Sequence, residues 1–372
     1  GLPAFAALPA LLWLAATGVV LQALALLLLL AGLRKEYYRA SRAIFTLLHR
    51  PLLYLFQYSG SRVYLHSRDG GKEILGSFGS DQAVALVNHR GDLDWLVGLH
   101  VLDAGGGVGA CKAIIKKSLL AVPFFGFIWW AVDFICIARN WASASKMLEH
   151  GYRSQHEYEE AGVPYSLTIF PEGTRLTAKK LQDSQAFAKS RNLPVLEHCL
   201  CPRVKGVWSA INNLHLDAVY DCTVVAAGSH GSKANMLSLA RGEPVELHVF
   251  IEKIVPVTIP KDEDGLSKWL FQRWQAKDGY LKRFDKDGHL GIDGNVKHEL
   301  AVRPSAGHIW LGAFLWWLLS MAVFVQWTLA NGYYRLLGGL FAGLILMVVG
   351  LMAVLHVVHF KKEGPDDGKK DS

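Results

Sequence analysis

Residues 83–94 read AVALVNHRGDLD, and this stretch decides the fold. Its first five residues form an apolar run, which predicts a short buried strand. The polar residues after it predict a sharp change from strand to helix, and the helix is expected to begin near Asp92 or Asp94. Helical stretches separate further apolar runs, which cover residues 166–170, 222–226 and 245–254. This alternation predicts an α/β domain built on a mixed sheet covered by helices.

Apolar stretches flank this domain. Residues 10–33 contain no charged residue, and at about 1.5 Å per residue they are long enough to cross a bilayer core of about 30 Å. A cleaved signal peptide fits less well, because cations follow in place of a small-residue cleavage site. Residues 43–58 are apolar but interrupted by Pro51, which predicts a helix at the membrane interface. The segment after residues 10–33 is predicted to face the cytosol, because four cations follow that stretch: Arg34, Lys35, Arg39 and Arg42.

A second pair of apolar stretches, residues 307–330 and 336–358, predicts a C-terminal transmembrane hairpin. The predicted fold class is therefore α/β with transmembrane helices at both ends. Four parts are predicted: an N-terminal transmembrane helix with an interfacial helix (1–59), the α/β domain (60–306), the hairpin (307–360) and a polar cytosolic tail (361–372).

The composition narrows the classes of partner. Hydrophobic residues make up 51% of the chain, mean hydropathy is +0.22, and 39 Lys and Arg stand against 32 Asp and Glu. On a membrane protein this balance favours anionic headgroups or phosphorylated substrates. Nucleic acid is disfavoured, because no basic stripe with interleaved aromatic residues is present. The five cysteines show no metal-ligand spacing, so neither a disulfide framework nor a zinc site is indicated.

His89 is the first candidate for chemistry, because it stands where the predicted strand ends. A carboxylate five residues later, Asp94, can hold one ring nitrogen by a hydrogen bond. The other ring nitrogen is then free to take a proton from an alcohol. Asp92 competes with Asp94 as the partner, and it could also simply cap the helix.

The second candidate is FPEGTR, residues 170–175, which again follows a predicted strand. Proline and glycine redirect the chain, and Gly173 lets backbone amides approach a ligand. Arg175 offers a planar fork that suits a phosphate. An ordinary strand-to-helix turn with a surface arginine would have the same residue types.

Together the two motifs resemble the 1-acylglycerol-3-phosphate acyltransferase (lysophosphatidic acid acyltransferase) family. His89 and Asp94 match the first motif of that family, and residues 172–175 match the third. The second motif resembles FICIAR, which ends at Arg139, and the fourth resembles LCP, which ends at Pro202. Residues 220–224 and 274–278 look like the longer eukaryotic branch, which has C-terminal membrane spans.

The resemblance implies transfer of an acyl group from acyl-CoA to the sn-2 hydroxyl of 1-acyl-sn-glycerol-3-phosphate, which forms phosphatidic acid. His89 would be the base and Asp94 would orient it, without a covalent acyl-enzyme, a metal or a bound cofactor. Glu172 is expected to orient Arg139 or Arg175 by an ion pair. The residues expected to bind substrate are Arg139, Glu172, Gly173, Thr174, Arg175 and Pro202.

Other functions stay open at this stage. Related acyltransferases act on lysophosphatidylinositol or lysocardiolipin, and a non-catalytic lipid-binding scaffold would keep the same fold. A membrane-bound esterase would need a nucleophile, which no G-x-S-x-G motif supplies. The motifs do not predict the acyl length or the oligomeric state.

Two basic features concern the membrane. Lys112, Lys116 and Lys117 precede the apolar residues 119–130, which suits either a surface resting on an anionic leaflet or a buried helix with a basic end. Lys369 and Lys370 resemble the dilysine retrieval signal of the endoplasmic reticulum. The expected location is therefore the endoplasmic reticulum membrane, as a multi-pass protein with its catalytic domain facing the cytosol.

Overall fold

A computed structural model describes residues 8–67, 71–122, 124–138, 141–228, 234–292 and 296–301, with the single positions 326, 329 and 330. The helices within these ranges are α1 (Leu8–Leu30), α2 (Arg34–Tyr58), α3 (Lys72–Ser77), α4 (Asp94–Gly105), α5 (Phe125–Ala131), α6 (Trp141–Glu160), α7 (Ala178–Ser190), α8 (Val204–Asn213), α9 (Met236–Ala240) and α10 (Glu263–Asp287). The strands are β1 (Arg62–Ser67), β2 (Ala83–Val87), β3 (Cys111–Lys116), β4 (Ile135–Ile137), β5 (Ser166–Ile169), β6 (Ala218–Gly228), β7 (Val245–Ile254) and β8 (Val296–Glu299).

The described strands form one mixed sheet in the order β4-β3-β5-β2-β6-β7-β1-β8. The first five strands of this order, β4-β3-β5-β2-β6, run parallel to each other. Strand β7 is antiparallel to β6, and β8 is antiparallel to β1. The prediction of a mixed α/β sheet is confirmed. Since β2 and β5 are parallel neighbours, the segments that follow them emerge at the same edge of the sheet.

Strand β2 lies at the centre of the core, and all five of its residues are buried. Strands of a parallel sheet are covered on both faces, which explains why this strand is an unbroken apolar run. Asn88 extends the pairing of β2 with β6 one residue past the end of β2. Its amide Nδ2 donates to the Val224 carbonyl at 2.9 Å, and the Val224 N–H donates to its Oδ1 at 2.7 Å. The position of the next residue, His89, is fixed by this pair of bonds.

Helix α10 is joined to the sheet by a buried ion pair. Lys277 Nζ lies 2.6 Å from Asp221 Oδ1, and both side chains are almost completely buried. The same ammonium donates to the Cys222 carbonyl at 2.5 Å and to the Leu86 carbonyl at 3.3 Å. Arg273 Nε donates to the other carboxylate oxygen of Asp221 at 2.5 Å. A buried charge with this many partners is compensated, so α10 is held against the middle of the sheet.

The predicted transmembrane helix over residues 10–33 is wrong. Among the helices in the described ranges, none is long and apolar enough to cross a membrane. Among the described side chains of α1, the buried polar ones are Thr17 and Gln22. Gln22 among them is buried and donates to Ser41 Oγ of α2 at 2.8 Å.

The other predictions about the membrane have different outcomes. The helix predicted over residues 43–58 is the second part of the longer α2, and its place at a membrane interface stays a prediction. The hairpin over 307–360 and the tail over 361–372 lie outside the described residues, apart from positions 326, 329 and 330. The predicted domain boundaries stay a prediction.

Lys112 is not a headgroup ligand, because it is 1% exposed inside the sheet. Its ammonium donates to the Tyr158 hydroxyl at 2.8 Å and to the Val132 carbonyl. Lys116 and Lys117 are exposed, as a surface beside a lipid leaflet requires.

Candidate active site

His89 and Asp94 form a hydrogen-bonded pair at the carboxyl end of β2. His89 Nδ1 lies 2.9 Å from Asp94 Oδ2, and the same oxygen accepts the Gly91 N–H at 2.9 Å. The Asp94 side chain is 2% exposed and the His89 side chain 23% exposed. The His89 ring packs on Phe170, with 4.3 Å between ring centroids. Because Nδ1 is held from the buried side, Nε2 is the nitrogen left for a substrate.

Asp92, the rival partner, has a different role in the structure. Its Oδ2 lies 3.7 Å from Arg175 Nη1, and its Oδ1 accepts the Met236 N–H at 3.2 Å. Helix α4 begins at Asp94, which turns that carboxylate toward the histidine. The structure therefore pairs Asp94 with His89, while their catalytic role stays a prediction.

Glu172 is buried and accepts three hydrogen bonds. The donors are the His89 N–H at 3.1 Å, the Leu200 N–H at 3.2 Å and the Trp274 indole N–H at 3.3 Å. The expected ion pair with Arg175 is wrong, because Arg175 stays at the surface beside Asp92. The other expected partner, Arg139, lies outside the described residues.

Burial determines the acidity of Glu172. Removal from water raises the pKa of this carboxyl to about 7, although the hydrogen bonds from His89, Leu200 and Trp274 lower it in part. The negative charge of Asp94 adds to the rise. Glu172 therefore changes its charge near neutral pH while it touches the backbone of His89.

The turn over residues 171–175 presents cations to solvent. Gly173 has a φ of +68°, and a side chain there would come within 3.2 Å of the Arg203 guanidinium. The Arg203 N–H donates to the Pro171 carbonyl at 2.8 Å, which joins this turn to the segment after Pro202. Lys180 Nζ donates to Thr174 Oγ1 at 2.5 Å. Three positive side chains, Arg175, Lys180 and Arg203, thus surround Gly173 and Thr174, as a phosphate site requires.

Most of the site residues predicted from the sequence meet at the edge where β2 and β5 end: His89, Asp94, Glu172, Gly173, Thr174 and Arg175. Pro202 is joined to this edge by the backbone bond of its neighbour Arg203 to Pro171. Sequence reasoning assigned no role to Lys180, which stands one helical turn after the motif. It also assigned none to Asp278, whose carboxylate accepts the N–H groups of residues 197–199 at 2.6–3.1 Å. The signal available for Asp278 was its place in the second block of resemblance, residues 274–278.

An apolar pocket lies beside Asp94, between α4 and the sheet. Trp95 and Gly98 line it from the helix, and Phe170, Val224 and Ile251 line it from the sheet side. A side chain added at Gly98 would meet no atom within 4 Å. The pocket is therefore open at Gly98 and suits a hydrocarbon chain.

Comparison with known proteins shows to which family the chain belongs. The Acyltransferase family model matches residues 66–227, and the Acyltransferase C-terminus model matches residues 238–315. The 1-acyl-sn-glycerol-3-phosphate acyltransferase 2 of Brassica napus is 31% identical, over 83% of this chain and 74% of its own length. The chain belongs to the 1-acyl-sn-glycerol-3-phosphate acyltransferase family. It is accordingly an acyltransferase of lipid biosynthesis, and the family predicted from the motifs is confirmed.

Two further proteins match a smaller part of the chain or match it at lower identity. The 1-acyl-sn-glycerol-3-phosphate acyltransferase delta of Homo sapiens is 30% identical, over 57% of this chain and 55% of its own length. The crystal structure of the 1-acyl-sn-glycerophosphate acyltransferase from Thermotoga maritima covers 67% of this chain and 81% of its own, with 16% identity and a TM-score of 0.38.

The raised pKa of Glu172 predicts how the stability of this acyltransferase depends on pH. The native chain keeps the Glu172 proton up to about pH 7, whereas the unfolded chain loses it near pH 4.3. Glu172 therefore contributes stability that is present below about pH 4.3 and is lost as the pH rises through 7. Glu172→Gln should remove this loss, so the free energy of unfolding of the wild type should fall by roughly 3 kcal/mol relative to the variant across that interval.

Urea unfolding at a series of pH values measures the difference. Glu197→Gln is the matched control, because Glu197 is an exposed glutamate and should leave the pH dependence unchanged. Parallel curves for the wild type and Glu172→Gln would show that folding does not change the pKa of Glu172.

Proposed function

We propose that this acyltransferase transfers an acyl group from acyl-CoA to the sn-2 hydroxyl of 1-acyl-sn-glycerol-3-phosphate, forming phosphatidic acid. The observation that carries the proposal is the His89–Asp94 pair, 2.9 Å apart, with one ring nitrogen left for a hydroxyl. The acceptor named for the relatives in Brassica napus and Homo sapiens supports the choice of substrate.

His89 acts as the general base in this mechanism. Asp94 accepts the Nδ1 proton of the imidazole, which leaves a lone pair on Nε2. Nε2 removes the proton of the sn-2 hydroxyl as that oxygen attacks the thioester carbonyl. The imidazolium that forms is stabilised by the buried Asp94 side chain 2.9 Å away.

The bond changes then balance without a covalent acyl-enzyme. A carbon–oxygen bond forms to the acceptor, the carbon–sulfur bond breaks, and the proton on His89 passes to the departing thiolate of coenzyme A. Direct transfer fits the surroundings of the His89 ring, which contacts the side chains of Asp94 and Phe170. Neither of these side chains supplies a serine or cysteine nucleophile.

The three cations around the turn at 171–175 are suited to the acceptor phosphate. A phosphomonoester carries nearly two negative charges near neutral pH and offers three oxygens. Arg175 is 55% exposed, and its distance of 3.7 Å from Asp92 makes a weak ion pair that a phosphate can replace. Arg203 and Lys180 then face the remaining oxygens.

The apolar pocket beside Asp94 is suited to the acyl chain of the donor. Asp94 lines the pocket directly, so a chain inside it has its carbonyl end next to the His89–Asp94 pair. Burial of each methylene contributes about 0.8 kcal/mol, which makes the length of the pocket a measure of preferred chain length.

We also propose that the chain works at the cytosolic face of the endoplasmic reticulum membrane, together with a lipid bilayer as partner. The exposed Lys116 and Lys117 support the lipid bilayer as partner, because exposed lysines suit the surface of an anionic leaflet. Microscopy of the full chain beside a marker of that membrane tests the proposal.

The central test removes the base and its partner separately. His89→Ala should lower kcat by roughly 10²–10⁴-fold, because it removes the general base. Asp94→Asn should lower kcat less, since the imidazole remains but its tautomer is no longer controlled. Asp92→Asn should have the smallest effect, because Asp92 contacts Arg175 and Met236 and not the imidazole.

Release of coenzyme A that requires 1-acyl-sn-glycerol-3-phosphate measures these rates and distinguishes a transferase from an esterase. Retained turnover in His89→Ala would refute the mechanism. A larger loss of kcat in Asp92→Asn than in Asp94→Asn would show that Asp94 is not the partner of His89.

Arg175→Lys tests the acceptor. The change keeps the charge but removes the bidentate fork, so the KM for 1-acyl-sn-glycerol-3-phosphate should rise roughly tenfold. The kcat should change little, because the phosphate is held alike in the ground and transition states. Arg191→Lys at the end of α7 is the matched control. If wild-type enzyme prefers a phosphodiester such as lysophosphatidylinositol, the proposed substrate is wrong.

Gly98→Leu tests the acyl pocket, since the added side chain would project into its open space. The preferred acyl-CoA should become shorter, and kcat/KM for long chains should fall at least about tenfold through lost burial. Gly98→Ala is the control, because its single methyl group fits and favours the helix. If the preferred chain length of acyl-CoA is unchanged and the preferred sn-1 chain length of the acceptor changes, the pocket holds the acceptor and not the donor.

A further inference from the structure

A cluster of two histidines and a glutamate lies outside the acyltransferase site. His156 and Glu159 stand one turn apart on α6, and His215 lies in the segment between α8 and β6. Nδ1 of His156 lies 2.9 Å from Oε2 of Glu159, and Nδ1 of His215 lies 3.0 Å from the same oxygen. One ligand atom from each of the three residues lies within 4.8 Å of the other two.

The carboxylate at the centre of this cluster is held in place. The Tyr165 hydroxyl donates to Oε1 of Glu159 at 2.9 Å, and the Glu159 side chain is only 14% exposed. Burial opposes ionisation, but the hydrogen bonds from His156, His215 and Tyr165 lower the pKa of Glu159 overall. Glu159 therefore has one oxygen oriented by an outer partner and the other aimed at both imidazoles.

We infer that His156, Glu159 and His215 bind a divalent transition metal ion, of which Zn²⁺ is the type. Two imidazole nitrogens and one carboxylate oxygen are the ligands that zinc takes at three positions, with water at the fourth. Mg²⁺ and Ca²⁺ are disfavoured, since these ions prefer a full set of oxygen ligands. Ligands about 2 Å from one zinc ion lie roughly 3.3 Å from each other, so small side-chain rotations close the cluster.

Metal binding needs no net loss of protons from the neutral histidines. Without metal, each imidazole donates an Nδ1 proton to Glu159. With metal bound, each imidazole carries its proton on Nε2 in place of Nδ1, and the Nδ1 lone pair faces the ion. His215 is 87% exposed, which lets both its Nε2 and the fourth metal position contact water.

The location of the cluster indicates a structural role. Tyr165 directly precedes β5, and the segment that holds His215 leads into β6, so the cluster lies at the starting edge of these strands. His89 and residues 170–175 lie at the opposite edge, where β2 and β5 end. The ion would join the end of α6 to the segment before β6, and it would stabilise the fold without touching the reacting atoms.

The experiment titrates Zn²⁺ into the purified chain after treatment with a chelator, at about pH 7.5, because protons compete with the metal for its ligands at lower pH. Calorimetry should give one saturable site, and the Tm should rise with Zn²⁺ concentration. Co²⁺ in place of Zn²⁺ should give the visible absorption of a low-coordinate site with nitrogen ligands.

Three variants assign the site. His215→Ala should weaken Zn²⁺ binding more than about 100-fold, and Tyr165→Phe should weaken it about 10–100-fold by removing the outer hydrogen bond. His289→Ala, a change at another exposed histidine, should bind like the wild type. Because His215 is exposed, its variant should fold with the Tm of the metal-free wild type.

Two results would overturn the inference. The first is a wild-type chain without saturable Zn²⁺ binding, which would leave a hydrogen-bonded cluster only. The second is equal Zn²⁺ affinity in the wild type and His215→Ala, or equal losses in His215→Ala and His289→Ala, which would assign the ion to other residues.

Discussion

The buried carboxylate of Glu172 connects the parts of the active site. It accepts N–H groups from the end of β2, from the segment before Pro202 and from the indole on α10. These three segments are far apart in the chain, so the bonds form only when all three have reached their final positions. Each hydrogen bond to a neutral group contributes about 0.5–1.5 kcal/mol, and each contributes about 1.5–3 kcal/mol once Glu172 is ionised, above about pH 7. The backbone of His89 is therefore located by the same contacts that close the fold around it.

Other polar groups inside the sheet support that connection. Lys277 and Asp221 join α10 to β2 and β6, and Asn88 pairs with the backbone of Val224. If either partner of the buried ion pair were removed, the other charge would lack compensation, which typically costs about 3–5 kcal/mol. The orientation of α10 determines where Trp274 meets Glu172. The polar core is thus a framework that positions the base, while the apolar core supplies most of the driving force for folding.

Strands with unbroken apolar runs could be predicted from the sequence, and β2 and β7 have the predicted bounds. The motifs after β2 and β5 were also predictable as one site, because parallel neighbours end at the same edge. Strand β3 was missed, since it contains Lys112, whose burial depends on the distant Tyr158 hydroxyl. The role of Glu172 was missed for the same reason. Spacing along the chain shows which residue types are adjacent, but not which distant N–H groups bury a carboxylate.

The distribution of charge at the site suits the chemistry proposed for it. The carboxylates of Asp94 and Glu172 are buried, whereas the guanidinium groups of Arg175 and Arg203 are exposed at the rim. A buried carboxylate beside an imidazole stabilises the positive charge that appears during proton transfer, because little water screens it. Exposed cations exchange one anionic partner for another at small cost. In the proposed mechanism, the acceptor phosphate would therefore bind at the exposed rim while its hydroxyl meets His89 in fixed surroundings.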